Sequence, residues 1–167
     1  MEELLLQATR IAPAVDDGRS VASELKHLWV GILRERWTSL VVVPADRGVS
    51  SRAITGPFAE LARQCASPAV EVFDTAGVST DTGERFVDVL TAAIASGSRV
   101  IAGIDPLAES LAGVALALYA DAILLVVGVG SSELASARRT IESVGRDRII
   151  GCVAIDPGVM AATAPGR

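Results

Sequence analysis

The sequence holds a single histidine, His27, and a single lysine, Lys26. A two-histidine metal site or a serine–histidine relay therefore has almost nothing to draw on within one chain. Any mechanism that needs a lysine must use Lys26. The two cysteines, Cys65 and Cys152, show neither Cys-x-x-Cys spacing nor a ligand pattern, and they read as two reduced, buried thiols. No Gly-x-Ser-x-Gly occurs, which excludes a nucleophile elbow. A basic excess is lacking as well. The net charge is −5, whereas binding nucleic acid calls for a basic face that neutralises phosphates, so no nucleic-acid partner is expected. No N-terminal stretch joins a basic flank, an apolar core and a small-residue cleavage site, and a cytoplasmic location is expected.

What is present is apolar. Half of the 167 residues are hydrophobic and about a fifth are charged, enough for one domain with a real core. The most apolar stretch is Leu111 to Gly130, whose only charge is Asp121. Its length would suit a membrane span, but a charge near the bilayer centre costs about 2.5–3.5 kcal/mol even on the lenient insertion scale. The texture also changes at Asp121. Helix-favouring Ala and Leu precede it, and the β-rich run Ile-Leu-Leu-Val-Val follows. The stretch reads as a helix, a turn at Ala120–Asp121 and a strand buried on both faces, as in parallel sheets covered by helices.

Residues 1–19, with an apolar patch at Leu4–Leu6, read as a flexible arm, residues 20–158 as one α/β domain and residues 159–167 as a tail. Ser20 suits the N-cap of a helix running to Arg36, with Val21, Leu25, Leu28, Trp29, Ile32 and Leu33 on one face. That face, with Trp29 and Trp37, covers either its own domain or a partner. Strands are expected near residues 39–43, 69–73, 99–104, 122–127 and 148–155. Gly56-Pro57 interrupts the helix after the first of these, so that helix either kinks or starts late with Thr55 as its cap. Asp81 and Glu84 resemble a capping box for a helix with Phe86, Leu90, Ala93 and Ile94 inward, closed by Gly97. Ser132 suits the cap of a helix carrying Leu134, Ala137, Ile141 and Val144, stopped by Gly145.

Strand and helix alternate through short connections, which predicts a three-layer, doubly wound, mainly parallel sheet of five or more strands with right-handed crossovers. Ligands of such folds bind at the carboxyl ends of the strands. Asp74, Asp105 and Asp156 each end a strand and are expected to crowd that edge. This reads equally as an acidic site able to hold Mg²⁺ and as ordinary turn chemistry beside Gly or Pro.

The order of these pieces, from about Ser20 to Pro157, resembles the cytoplasmic domain of bacterial tyrosine kinases of capsule and exopolysaccharide assembly. These are relatives of the MinD/ParA group of deviant P-loop NTPases. The best-matched part is Ser98–Val127, with Arg99-Val-Ile-Ala-Gly-Ile-Asp-Pro-Leu107, a helix, then Tyr119-Ala-Asp-Ala-Ile-Leu-Leu-Val-Val127. Ile149 to Ile155 also reads like the family's last strand. The resemblance implies a P-loop NTPase-like fold in which Asp74 stands at the family's first catalytic Asp and Asp105 at its Mg²⁺-linked Asp. It also implies a partner, the cytoplasmic part of a membrane polysaccharide-export or copolymerase protein.

The departures from that family are as informative. Its Gly-Lys-Ser/Thr loop, whose lysine offsets phosphate charge, falls at Ser50, Ser51 and Arg52 when aligned on Gly48. The lysine is missing, Asp46 adds a negative charge, and arginine at Arg47 or Arg52 does not reproduce a lysine set into a glycine cradle. The tyrosine-rich tail is absent too, since Tyr119 is the only tyrosine. The family's Glu–Arg–Arg ring motif is not matched after Glu24, so the ring is not carried over, although some homo-oligomer stays open. Gly48, Ser50, Ser51, Arg52, Asp74 and Asp105 thus read as a degenerate nucleotide pocket with no catalytic residue, no metal and no cofactor. The alternative is a Mg²⁺–ATP binder or weak ATPase with an unorthodox loop. Asp74-Thr75-Ala76-Gly77 also fits the Asp-x-x-Gly of GTPases, but the base-reading Asn-Lys-x-Asp is absent. A receiver domain would need a lysine where Asp156-Pro157 stands.

Overall fold

A computed structural model describes residues 9–11, 19–64, 69–77 and 80–156. The elements in chain order are β1 (Thr9–Ile11), α1 (Arg19–Arg34), β2 (Ser39–Pro44), α2 (Arg52–Gln64), β3 (Val70–Asp74) and α3 (Thr80–Ala95). They continue with β4 (Arg99–Gly103), α4 (Leu111–Tyr119), β5 (Ala122–Gly128), α5 (Leu134–Val144), a 3₁₀ turn (Arg146–Arg148) and β6 (Ile149–Ile155). The strands form one six-stranded sheet in the order β1-β6-β5-β2-β4-β3. Every pairing is parallel.

The chemistry of the central strands explains this. Every residue of β2, Ser39-Leu-Val-Val-Val-Pro44, is buried, and β5 is buried along nearly its whole length. Such strands must be covered on both faces. Leu40, Val42, Leu124 and Val126 meet α1 and α2 on one face, while Val41, Val43 and Ile123 meet α3, α4 and the end of α5 on the other. The result is a three-layer α/β fold. The stretch from Leu111 to Gly130 divides as its composition implies, into α4, a turn and β5. No helix among the described residues is long and apolar enough to cross a membrane.

Asp121 makes the turn between α4 and β5. Its carboxylate accepts from the Thr38 and Ser39 N–H groups at 2.9 and 3.1 Å and from the Thr38 hydroxyl. Burial alone raises its pKa, but these donors together outweigh burial and hold the carboxyl below its ordinary value.

Several local expectations are corrected. Residues 1–19 are not wholly an arm, because Thr9–Ile11 pairs with Val153–Ile155 and covers what would be an open sheet edge. The helix α1 begins at Arg19 and α3 at Thr80, so Ser20 and Asp81 lie inside helices rather than at their caps. Nor does α2 start late. It runs from Arg52 through Pro57, because Ile54 and Phe58, both fully buried, anchor it on either side of the proline. Thr55, the expected cap, is instead buried against β4, where a Cβ on Gly103 would stand 2.7 Å from the Thr55 Cγ2. Leu134 faces outward at 65% exposure. Leu4–Leu6, Cys65 and the tail at 159–167 lie outside the described residues.

Candidate functional site

The first strand of the core, β2, lies between β4 and β5. Its own helix, α2, packs on one face, whereas β4 and β5 lead to helices on the other. Loops leaving neighbouring strands in opposite directions open a crevice at the carboxyl edge. Here the crevice between β2 and β4 is a cavity of about 220 Å³ lined by Arg47, Val49, Ser50, Ser51, Asp105 and Glu109, among others. The candidate residues Gly48, Ser50, Ser51, Arg52, Asp74 and Asp105 all belong to this edge.

The loop after β2 is held from within. Asp46 accepts from the Gly48 N–H at 2.9 Å and the Ser132 hydroxyl at 3.0 Å with one oxygen, and from the Glu133 N–H at 2.9 Å with the other. Glu133 is the N-cap position of α5 and makes no side-chain cap of its own; Asp46, just past the end of the adjacent strand β2, accepts the free N–H of that position. This corrects the reading of Ser132 as the cap. Its hydroxyl accepts from the Gly128 N–H at 2.8 Å and donates to Asp46. Gly48 has no room for a side chain, since a Cβ there would sit 2.8 Å from the Ser131 hydroxyl.

The cations are equally committed. Arg47 pairs with Glu109, and the Arg52 Nε donates to an Asp74 oxygen at 2.5 Å. The other Asp74 oxygen accepts from the Ala76 N–H at 3.1 Å. Asp105 accepts from the Gly77 N–H at 2.6 Å, which ties the loop after β3 to the loop after β4. The Thr75 hydroxyl and N–H both donate to the Gly103 carbonyl, each at 2.8 Å. Ser50 accepts from the Arg52 N–H at 3.2 Å and so caps α2. Ser51, where the resemblance would put a lysine, is 1% exposed and its hydroxyl has no partner. Lys26 is exposed on α1, the helix that leads into β2 rather than out of it.

Asp156 does not join this group. It follows β6, and β5 and β2 stand between β6 and β4, so the three strand-end carboxylates do not converge. Among the described residues no three His, Cys, Asp or Glu side chains are placed to hold a metal ion.

The tryptophans are corrected as partner anchors. Trp29 and Trp37 are 3% and 5% exposed. Trp29 packs edge-on against Phe58 at 5.1 Å. Trp37 donates to the Ile32 carbonyl at 2.6 Å and lies under the Arg99 guanidinium at 4.2 Å. The apolar face of α1 covers its own sheet, which leaves neither indole to dock a second protein.

Ser132, Glu109 and Thr75 were not legible as parts of the site. Each acts through a residue distant in sequence, and no local spacing signals such a contact. Compared with known proteins, the chain matches no family model, no curated protein and no solved structure.

Proposed function

We propose that this chain is a non-hydrolysing relative of the P-loop NTPase-like group whose phosphate loop has become internal structure. It acts as an accessory or regulatory protein of bacterial polysaccharide biosynthesis or export, through the cytoplasmic part of a membrane partner. One observation carries the first half: the ionic groups of the loop are already satisfied by the protein itself. Asp46 holds the start of α5, Arg47 holds Glu109, and Arg52 holds Asp74. A triphosphate arriving at this edge would meet Asp46, Asp74 and Asp105, with no lysine to offset them. The two arginines would have to leave their carboxylates first, and a single glycine, Gly48, leaves the backbone little freedom to wrap a phosphate. The polysaccharide role and the membrane partner rest on the resemblance of Ser98–Val127 and its flanking elements. The partner surface lies elsewhere than at the tryptophans.

A second reading, a nucleotide-binding protein or weak ATPase with an unorthodox loop, is favoured by the cavity beside Ser51 and that residue's unpartnered hydroxyl. Calorimetry with Mg²⁺–ATP and a phosphate-release assay separate the two. We expect neither heat of binding nor turnover. Micromolar binding that disappears in Asp105→Ala would establish the second reading instead. Deleting the gene and measuring exported polysaccharide tests the pathway, and unchanged export would refute it.

A further inference from the structure

A larger cavity shares Arg47, Pro106 and Glu109 with the one beside Ser51. It measures about 510 Å³ and opens between the loop after β2, residues 106–109, α4 and α5. Sites for small molecules commonly span roughly 300–1,000 Å³. Ser136, Thr140 and Ser143 of α5 line it at successive turns of one helix face. Ala45, Leu107 and Val114 supply an apolar wall.

The charges of this cleft are unequal in their commitments. Asp46 is taken up by its three hydrogen bonds and Glu109 by Arg47. Arg138, the neighbour of Arg139, pairs with Glu142. Arg139 makes no ion pair among the described residues; its guanidinium donates to the Ser136 hydroxyl at 3.0 Å. That bond uses one of five guanidinium donors, and Ser136, accepting it, keeps its own proton to give. Thr140, 5% exposed overall, adds a hydroxyl group to the same wall. A planar guanidinium flanked by hydroxyl donors is suited to a phosphate or carboxylate group. The cavity exceeds one such group, so the apolar wall is left for an uncharged body.

We propose that the cleft between α4 and α5 binds a small organic oxyanion, held by Arg139 with Ser136 and Thr140 and resting its uncharged part on Ala45, Leu107 and Val114. Arg47 is a second cation within the lining. It stays paired with Glu109, which leaves Arg139 as the cation that meets the anion. This site goes beyond the reading of the phosphate loop and does not depend on it.

The test is a titration of the full chain with inorganic phosphate and, separately, with acetate, followed by backbone amide shifts. Saturable shifts centred on Ser136, Arg139 and Thr140 are expected with at least one anion, and the stronger responder names the class. Arg139→Gln should weaken that binding by about tenfold or more, the loss of one charge-assisted contact. Arg138→Gln should leave it unchanged. Both arginines are exposed, so both variants are expected to fold, and a thermal melt checks this. Absence of saturation with either anion overturns the proposal. So does equal weakening by the two variants, which would show general charge attraction rather than a site.

Discussion

Replacing Asp46 with alanine tests whether this carboxylate holds the loop after β2 and the start of α5 together. The substitution removes three accepted hydrogen bonds at once, from Gly48, Ser132 and Glu133. Loss of a helix cap alone costs about 0.5–2 kcal/mol, and loss of a carboxylate near a helix N-terminus costs a further ~0.3–1 kcal/mol. Bonds to water replace part of this because the edge is open, so a net loss of about 2 kcal/mol is expected. For a chain of this size that is a fall of about 4–8 °C in Tm. Urea unfolding followed by circular dichroism measures it, provided the transition is two-state. Asp46→Asn retains an acceptor but not the charge, and about half the loss is expected. A change below about 0.5 kcal/mol in Asp46→Ala, the range of an ordinary surface substitution, would refute the reasoning. Asp46 would then be a surface charge with no part in holding the start of α5.

Three further outcomes follow from contacts elsewhere. Gly103→Ala places a Cβ 2.7 Å from the Thr55 Cγ2 and 3.0 Å from the Ser51 hydroxyl; we expect a loss of about 1–3 kcal/mol from overpacking, partly restored by Thr55→Ala, and additivity of the two variants in urea melts would refute the contact. The folded-state pKa of Asp121 is depressed, so its contribution is fully present above the unfolded value of roughly 3.9 and fades as pH falls through the folded value. Asp121→Asn should therefore lose stability relative to the parent at neutral pH and converge with it in acid; a constant difference in denaturant melts down to acid pH would refute this. Burial raises the Cys152 thiol to about 11, so in a Cys65→Ser background a thiol reagent at neutral pH should label the chain only after unfolding; rapid labelling of the native chain would contradict the burial.

The architecture was legible because strand burial writes itself into composition. Val41-Val-Val43 and Ile123-Leu-Leu-Val-Val127 have no polar residue to turn toward water, and only a sheet covered on both faces accommodates them. The site was legible only in outline. Local sequence identified which carboxylates end strands, but strand order decides which of them meet, and that order separates Asp156 from Asp74 and Asp105. Helical periodicity marked the apolar face of α1, yet the same pattern suits a partner surface or a core. Pro57 suggested a broken helix because local propensity carries no term for the burial of Ile54 and Phe58.

By itself the sequence determined the alternation of strands and helices, the turn at Asp121 and the absence of lysine from the loop after β2. Each is written in local composition, in the apolar texture of a segment or the residue types of a turn or loop. The tertiary structure alone decided that Asp46 holds α5, that Arg52 turns to Asp74, that both indoles lie inside and that Arg139 faces a cleft. A charged or aromatic side chain takes its role from the groups folding brings within a few ångströms, and for Asp46, Arg52 and Trp29 those partners lie more than twenty residues away along the chain.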